Sequence, residues 1–315
     1  MVEKKLELFT IICRNDYKLW RLQAKSVARF AQDDAVTAIH IVINETEDVG
    51  AMIDEFVREN LSAYGAWQAK THFHSRHDFI DRPLTVAGWR TQQLIKLRAH
   101  RVMTGDRVVI LDAKNHFIRP IQAADFFDEE TGRPTVALIT RSPQHSQYTW
   151  LVDSLAMVGV AAALADEPAS QTTTPFPVTA SHLRELEVLI AEKYGSLDNF
   201  FEEYTGRATE FLMMFAYAHK KYGTAEIYFK GDSDKSSTLF RRHPEDIKRI
   251  QAVIHAAHCA RTPMFAVHAE RIPHLGDEER NLIRDLWIKL GIADGKDCQD
   301  LLGANEQNSP KLMSA

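Results

Sequence analysis

The sequence predicts an α/β fold in which helices flank a mainly parallel sheet. Apolar, β-branched runs, which are typical of strands buried on both faces, alternate with segments whose apolar residues have helical spacing. The strand candidates are residues 6–13, 38–43, 70–74 and 107–111, and the helix candidates between them are residues 17–31, 49–61 and 85–103. This alternation is typical of a doubly wound sheet, whose ligands bind beyond the carboxyl ends of the strands.

The second half of the sequence is more mixed. Two prolines make residues 172–178 an extended segment rather than a helix. The remaining predicted elements are strands at 135–140 and 226–229, and helices at 151–165, 181–194, 209–222, 244–258 and 277–290. The polar tail after Leu302 is predicted to be disordered.

The composition indicates a globular enzyme of ordinary size. Of the 315 residues 45% are hydrophobic, and a net charge of -5 gives no general attraction to nucleic acid. Three widely spaced cysteines disfavour a disulfide framework and a structural zinc site. No run reaches the roughly 18 apolar residues of a membrane span, and the N-terminus has no signal-peptide core, so we expect a cytoplasmic protein.

A polar tetrapeptide, Asp112-Ala113-Lys114-Asn115, follows the strand candidate at 107–111. An acidic residue at the carboxyl end of a parallel strand lies where such sheets bind ligands. Asp112 with Asn115 could hold a weakly bound Mg²⁺ or Mn²⁺, whereas Lys114 is a poor metal ligand and a good partner for phosphate. The alternative explanation is a capped loop with a solvated lysine.

The helix predicted at 85–103 carries an unusual polar face. Trp89, Gln92, Gln93, Lys96 and His100 are spaced to share one side of it. A tryptophan, two amides and a lysine together suggest a ligand-binding face. The alternative explanation is a half-buried tryptophan with solubilising neighbours.

Three further groups of polar residues lie at the predicted ends of strands or helices. They are Arg14-Asn15-Asp16 after the first strand, Glu210 in the first turn of the helix at 209–222, and His268 after the apolar segment 265–267. Asp16 is also expected to cap the helix that follows it. For Glu210 the common alternative is a favourable interaction with the helix dipole.

In their order along the chain, these motifs resemble the GT-A-type glycosyltransferases. The Trp/Gln/Lys segment is similar to an uncharacterised bacterial polysaccharide glycosyltransferase-like family, most clearly from Phe9 to Pro120 and weakly as far as His268. The resemblance implies a Rossmann-like GT-A fold. Residues 1–120 would form its nucleotide-sugar-binding half and 121–302 its acceptor-binding half, ahead of a tail at 303–315. The chain departs from the family at Lys114, where a second carboxylate is usual.

The resemblance also implies a role for each motif. Glu210 would be the general base that deprotonates an acceptor hydroxyl, and Asp112, the other catalytic residue, would contact the donor ribose or a bridging metal. Lys114 would replace part or all of the charge of that metal. The implied donor-binding residues are Arg14, Asn15, Asp16, Trp89, Arg90, Gln93, Lys96, Lys114, Asn115 and His268. The extended segment at 172–178 would line the acceptor cleft, or else is a connection stiffened by its prolines.

The implied reaction is transfer of a sugar from a nucleotide-sugar donor to a glycan acceptor, with inversion if Glu210 is the base. The resemblance places this reaction in bacterial surface polysaccharide synthesis. There a lipid-linked acceptor would bring the enzyme to the inner membrane as a peripheral protein.

Two alternatives stay open. One is a nucleotidyltransferase, against which Lys114 counts, because such enzymes use paired carboxylates for metal. The other is a catalytically inactive GT-A scaffold that only binds nucleotide or glycan. No GxGxxG motif follows the first strand and no GxxxxGKS or GxxxxGKT motif occurs, which disfavours nicotinamide or flavin dehydrogenases and P-loop enzymes.

Overall fold

A five-stranded sheet forms the centre of the computed structural model, which describes residues 5–46, 54, 60–86, 88–241 and 247–303. Its strands are β1 Leu6–Ile12, β2 Val36–Ile43, β3 Thr71–Ser75, β4 Arg107–Asp112 and β8 Phe176–Thr179. They lie in the order β3-β2-β1-β4-β8, and all neighbours are parallel except β8, which runs antiparallel to β4. The predicted α/β fold with a mainly parallel sheet is confirmed.

The strand order reverses between β1 and β4. From β1 the chain builds outward to β2 and β3, then crosses back to place β4 on the other side of β1. Ligands of open α/β sheets bind in the crevice at such a reversal, outside the carboxyl ends of the two strands. The residues that follow β1 and β4 are therefore neighbours in this crevice.

Two smaller three-stranded sheets flank the main one. In the first, β11 (Met264–Val267) runs parallel to β10 (Ser236–Leu239) and antiparallel to β5 (Asn115–Phe117). In the second, β6 (Thr135–Ile139) runs antiparallel to β7 (Ala169–Ser170) and parallel to β9 (Lys230–Asp232). Because β5 starts three residues after β4 ends, it leads the chain from the crevice into the first small sheet, and β11 ends beside that crevice.

Helices lie on both faces of the main sheet, and the last three along the chain pack instead with the first small sheet. The helices of the described residues are α1 Tyr17–Phe30, α2 Trp89–Leu97, α3 Tyr148–Val158, α4 Ala180–Tyr194, α5 Leu197–Glu203, α6 Glu210–Tyr222, α7 Ile247–His258, α8 Asp277–Lys289 and α9 Gly295–Leu302. Among these residues, no helix combines the length and apolar character that a membrane crossing requires.

Alternate residues of β4 pack against opposite faces, as the two-residue period of a strand requires. Val109 and Leu111 belong to the core on the α1 side, whereas Val108 and Ile110 belong to the core that contains α2, α4 and α6. Asp112 lies on the same face of the strand as Val108 and Ile110, because all three are separated by two residues. The strand therefore presents its terminal carboxylate toward α2 and α6.

Several predicted elements differ from the structure. The helix predicted at 85–103 is only Trp89–Leu97, because Gly88 (φ 58°) precedes it in a non-helical conformation and Arg98 interrupts it before a short 3₁₀ turn. The helix predicted at 151–165 ends at Val158, where Gly159 adopts the left-handed conformation. The helix predicted at 49–61 and the tail after 303 lie mostly or wholly outside the described residues.

The strand predicted at 226–229 is wrong. The chain forms a 3₁₀ turn at Ala225–Ile227, where the Thr224 hydroxyl accepts the Glu226 N–H and the Phe229 N–H reaches the Ala225 carbonyl at 2.8 Å. The strand in this region, β9, starts at Lys230 instead. A hydroxyl that accepts a nearby backbone N–H favours a turn over an extended segment.

A buried histidine on α4 makes the stability of this fold depend on pH. His182 donates from Nε2 to the Met214 carbonyl at 2.8 Å and stacks on Tyr228, while its Nδ1 is buried with no hydrogen-bond partner in the described structure. A proton on Nδ1 would therefore place a charge in the core without an acceptor. Burial lowers the pKa of His182 to about 4, despite the bond to Met214.

We expect the His182→Gln variant to lose less stability in acid than the wild type. The unfolded imidazole takes up its proton near pH 6.5 and the folded one only near 4, so stability is full above 6.5 and falls as the pH drops toward 4. At pH 4 the wild type should have lost about 3 kcal/mol more of its unfolding free energy than the variant. Urea unfolding from pH 7 to 4 measures the difference, with exposed His77→Gln as control; parallel curves for all three proteins would contradict it.

Candidate functional site

A cleft of about 350 Å³ opens at the carboxyl ends of β1 and β4. It lies at the strand-order reversal described above. Seven residues predicted from the sequence as site residues line it together: Asp16, Trp89, Lys96, Asp112, Lys114, Glu210 and His268. They come from five separate segments of the chain, which only the tertiary fold brings together.

The centre of the cleft is a buried lysine between two carboxylates. Lys96 Nζ lies 3.1 Å from Asp112 Oδ1 and 3.2 Å from Glu210 Oε1. The Lys96 side chain and the Glu210 side chain are almost wholly buried, whereas the Asp112 carboxylate faces the cleft. Burial alone would lower the pKa of Lys96, but the two carboxylates outweigh it and raise that pKa, so Lys96 is an ammonium ion.

Asp112 receives two further donors on its other oxygen. Lys114 Nζ forms a short ion pair with Asp112 Oδ2, and the Thr174 hydroxyl donates to the same atom at 2.8 Å. Burial favours protonation, but the ammonium groups of Lys114 and Lys96 outweigh it. They hold the pKa of Asp112 far below its usual range, so the carboxylate stays ionised at every physiological pH.

Glu210 has a different environment, although it shares Lys96 with Asp112. It is the first residue of α6 and only 4% exposed, and burial raises its pKa even though Lys96 opposes that shift. Its neighbour Phe211 packs its ring under Lys96 Nζ at 4.9 Å and stacks on Phe176 of β8 at 4.4 Å. Two carboxylates on one ammonium group thus have pKa values shifted in opposite directions, an arrangement common in sites that move protons.

Backbone support for Asp112 comes from two amide side chains. Gln23 of α1 donates from Nε2 to the carbonyls of Asp112 at 2.9 Å and Asn115 at 2.8 Å. The Asn115 side chain closes the turn: its Oδ1 accepts the Asp112 N–H at 2.9 Å and its Nδ2 donates to the Thr174 carbonyl. These bonds fix the position of the strand-end carboxylate.

The donor set around Asp112 does not fit a divalent cation. Asn115, the second predicted ligand, is buried and its amide atoms are engaged in the turn. Both Asp112 oxygens already accept from ammonium groups, which repel a metal ion. Among the described residues, no group of three or more His, Cys, Asp or Glu side chains is placed to hold a metal. The positive charge that faces the cleft is supplied by lysine.

The loop after β1 contributes one predicted residue to the cleft. Asp16 lines it, while Arg14 and Asn15 are exposed and are not among its lining residues. Asp16 precedes α1, but its side chain does not cap that helix. The carboxylate instead accepts the backbone N–H and the thiol of Cys13, at 3.1 and 3.0 Å. The predicted capping role is therefore wrong, because the Asp16 carboxylate is engaged by Cys13, the residue before the 3₁₀ turn Arg14–Asp16.

The polar face of α2 divides into a cleft side and a packed side. Trp89, Gln92 and Lys96 line the cleft. Gln93 is fully buried beside them, and neither of its amide atoms has a hydrogen-bond partner within the described residues. The structure thus brings Gln93 next to the site without placing it on the cleft surface.

Arg90 and His100, from the same predicted helix, serve packing. Arg90 donates to the Tyr204 carbonyl at 3.2 Å and lies over the Phe201 ring, so it fastens the end of α5 and is not among the cleft-lining residues. His100 lies beyond the end of α2 and bonds Glu187 at 2.8 Å. A helix that stops at Leu97 cannot present position 100 on the same face.

His268 follows β11 and lines the cleft opposite α2. Its Nδ1 accepts the Glu270 N–H at 3.2 Å, which leaves Nε2 as the ring nitrogen for a ligand. Burial, then the nearby Lys114 ammonium, lowers the pKa of His268, so the ring is neutral at physiological pH. A neutral Nε2–H donates one hydrogen bond without adding charge.

The structure adds residues to the predicted site. Thr174 bonds Asp112 directly, Gln23 holds its backbone, and Thr172 lines the cleft. The two threonines belong to the extended segment at 172–178, which the sequence resemblance offered only as a whole as a candidate lining of the acceptor cleft. Gln23 is one polar position on the inner side of α1, where the Thr10 hydroxyl donates to it at 3.0 Å.

Comparison with known proteins gives a family and a fold. No protein with a curated function matches the chain significantly. Among solved structures, an active-site mutant of LgtC aligns with 92% of this chain and 98% of its own, at 10% identity and a TM-score of 0.50. A second LgtC structure, described as a galactosyltransferase in complex with donor and acceptor sugar analogs, aligns with the same shares of the two chains at a TM-score of 0.49. A glucosyl-3-phosphoglycerate synthase from Mycobacterium tuberculosis aligns with 93% of this chain and 82% of its own, at 12% identity and 0.43.

LgtC is a GT-A glycosyltransferase, and its mutant aligns at a TM-score of 0.50, so the predicted GT-A fold is confirmed. An identity of 10% shows the fold alone. The resemblance to a bacterial polysaccharide family stays a prediction. A family model matches residues 11–246, which include every predicted site residue except His268. The chain belongs to that family, the family of unknown function DUF6492.

Proposed function

We propose that this protein is a glycosyltransferase that moves a sugar from a nucleotide-sugar donor to a glycan acceptor. The observation that carries the proposal is the Asp112–Lys96–Glu210 arrangement in a cleft at the strand-order reversal of a GT-A fold. Such a cleft combines fixed positive charge for a diphosphate with a buried carboxylate for an acceptor hydroxyl. A nucleotidyltransferase fits less well, because the described cleft lacks paired carboxylates free to hold metal.

Lys114 and His268 would bind the donor diphosphate. Lys114 lies between the ends of β4 and β5, its ammonium group shared with Asp112, and His268 faces it from β11. As the nucleoside diphosphate leaves, its negative charge grows, and a lysine within the cleft stabilises that charge. Asp112 would position Lys114 and accept from the donor sugar or ribose, while Asp16 and the exposed Arg14 and Asn15 would contact the nucleoside.

Glu210 would accept the proton of the attacking acceptor hydroxyl. Its raised pKa brings it nearer to neutral pH, where a base is most effective, and it lies at the cleft surface. Direct attack with Glu210 as base inverts the anomeric centre. We further propose, from the sequence resemblance, that the acceptor belongs to bacterial surface polysaccharide synthesis and is lipid-linked, which would place a cytoplasmic enzyme at the inner membrane.

A panel of nucleotide sugars tests the function. At least one UDP-, GDP-, CMP- or dTDP-sugar should raise the melting temperature, since a ligand that binds only the native state stabilises it. The same donor should be hydrolysed slowly by the wild type and not by the Asp112→Ala variant. NMR of the product anomer then distinguishes inversion from retention. If no nucleotide sugar stabilises the protein, the proposal fails; binding without turnover identifies an inactive scaffold.

Removing metal should leave most of the activity, and removing Lys114 should not. We expect excess EDTA to change kcat/KM for the donor by less than about twofold, whereas Lys114→Ala should lower it about 10- to 100-fold, the value of a charged hydrogen bond. The exposed Lys18→Ala variant is the control. Complete loss of activity in EDTA, with recovery on adding Mn²⁺ or Mg²⁺, would show that lysine does not replace the metal.

A further inference from the structure

One tryptophan at the cleft is exposed, and a second, partly buried tryptophan packs against it, whereas the other three are buried. Trp89 is 53% exposed and lines the cleft, and Trp150 of α3 packs against it with ring centroids 5.6 Å apart. The remaining three, Trp20, Trp67 and Trp287, are buried. Exposing a large indole to water is unfavourable, so the exposed Trp89 in a cleft indicates a surface that a ligand covers.

The position of Trp89 on α2 sets its distance from the reaction centre. Trp89 and Lys96 are seven residues apart, two helical turns, and both line the cleft. At the rise of an α-helix, the Cα atom of Trp89 lies about 10 Å along the helix axis from the Cα atom of Lys96. Trp89 therefore lies at the outer end of the cleft and Lys96, with Asp112 and Glu210, at its inner end.

Trp150 is connected to the candidate base through α3. One turn further along that helix, the Ser154 hydroxyl donates to the Trp150 carbonyl at 2.7 Å and accepts the Thr209 N–H at 3.2 Å. Thr209 directly precedes Glu210. The tryptophan pair is thus held at one end by α2, which carries Lys96, and at the other by the segment that positions Glu210.

We propose that Trp89, packed against the partly buried Trp150, forms a stacking platform for a pyranose ring of the acceptor glycan. The C–H face of a sugar ring packs flat against an indole, whose face carries negative potential. This inference rests on the proposed glycosyltransferase function. Trp150 belongs to the half of the chain that contains Glu210, which is the side where the acceptor hydroxyl must meet its base.

The separation along α2 also sets a minimum acceptor length. About 10 Å between Trp89 and Lys96 exceeds the width of one pyranose ring. A ring stacked on Trp89 is therefore not the one that reacts beside Glu210 but its neighbour in the glycan. The acceptor is then at least a disaccharide, and the platform selects its second ring.

Saturation-transfer NMR on the full chain tests this inference. The probes are lactose, maltose, cellobiose and chitobiose, each against its monosaccharide units. We expect at least one disaccharide to bind the wild type more tightly than its monosaccharides do. Trp89→Ala should weaken that disaccharide about 3- to 10-fold and leave the monosaccharides unchanged, whereas Trp89→Phe should retain most of the affinity. The control is Val188→Ala, which removes an equally exposed apolar residue (54%) from α4.

Each outcome decides the inference. Disaccharide binding that is lost in Trp89→Ala and kept in Val188→Ala supports it. Equal binding by Trp89→Ala and the wild type, or no disaccharide binding by the wild type, overturns it.

Melting temperatures with the nucleotide-sugar panel keep this result separate from the proposed function. If Trp89→Ala loses nucleotide-sugar stabilisation instead, Trp89 belongs to the donor site and only the platform is rejected; if the wild type shows no such stabilisation, the proposed function itself fails.

Discussion

The Glu210→Gln variant is expected to transfer sugar about 10²- to 10⁴-fold more slowly than the wild type, the contribution of a general base. The amide keeps the shape of the side chain and its hydrogen bond to Lys96, but it cannot take up a proton. In the proposed site Lys114 and His268 bind the donor, so donor binding should be preserved. Initial transfer rates, together with melting temperatures in the presence of the donor, measure the two effects separately.

A matched control for this substitution exists elsewhere in the chain. Glu279 lies in the first turn of α8 and, like Glu210, is 4% exposed, but it is not among the cleft-lining residues. Glu279→Gln should leave the transfer rate unchanged. If Glu210→Gln retains wild-type kcat, the base is another group, and the proposed inverting mechanism loses its support.

The pH profile of the wild type should carry the signature of the same base. Only ionised Glu210 can accept a proton, so kcat/KM falls as the pH drops through its pKa. Because burial raises that pKa, the fall should begin above the usual range of a carboxyl group. Asp112 adds no second fall of kcat/KM in this pH range, since the pKa of its carboxyl group is held far below the range.

The Lys96→Met variant is expected to lose both activity and about 3–5 kcal/mol of stability, the usual cost of removing one partner from a buried ion pair. Methionine fills most of the lysine volume, so little of the loss would come from a cavity. The cost arises because Glu210 and Asp112 lose the ammonium group between them, and within the described part of the chain Glu210 forms no ion pair with another cation. Protonation relieves the buried charge, so the variant should be less destabilised at pH 5 than at pH 8.

A double substitution separates this electrostatic cost from lost packing. Lys96→Met combined with Glu210→Gln removes the charge together with its partner and should recover part of the stability. Lys235→Met is the control, because Lys235 is similarly buried but pairs only with the more exposed Asp232. Urea unfolding of all four proteins at pH 8 gives the comparison. A Lys96→Met variant as stable as Lys235→Met would show that the carboxylates are not held by Lys96.

The local pattern was enough to predict most of the central sheet. Leu6–Ile12 and Arg107–Asp112 are rich in apolar and β-branched residues, and their burial on both faces leaves few alternatives to a central parallel strand. Once β4 is placed, Asp112 at its carboxyl end falls at the ligand-binding edge of the sheet by the general geometry of such folds. Where glycine or a hydroxyl redirects the backbone, as at Gly88 and Thr224, the predicted bounds were less accurate.

Which side chains contact one another across the cleft could not be predicted in the same way. Lys96 and Glu210 are 114 residues apart and Asp112 and Thr174 are 62 apart, so no local spacing relates them. Helical spacing alone places Gln92 and Gln93 on the same predicted face of α2, yet only Gln92 of the two lines the cleft. The difference arises because packing on the sheet and on α6 fixes the rotation of α2 about its axis. Gln23 is one polar residue among those of α1, and only its position above the β4–β5 turn gives it a role.

By itself, the sequence determined the parallel strands of the central sheet and the residues delivered to its carboxyl edge, because strand burial and the two-residue period are local properties. The tertiary structure alone decided what those residues do to one another. It placed Lys96 between Asp112 and Glu210, engaged Asn115 in a turn, and turned Arg90 toward α5. Charge interactions act over a few ångströms across segments far apart in sequence, so the two opposite pKa shifts at the cleft exist only once the chain has folded.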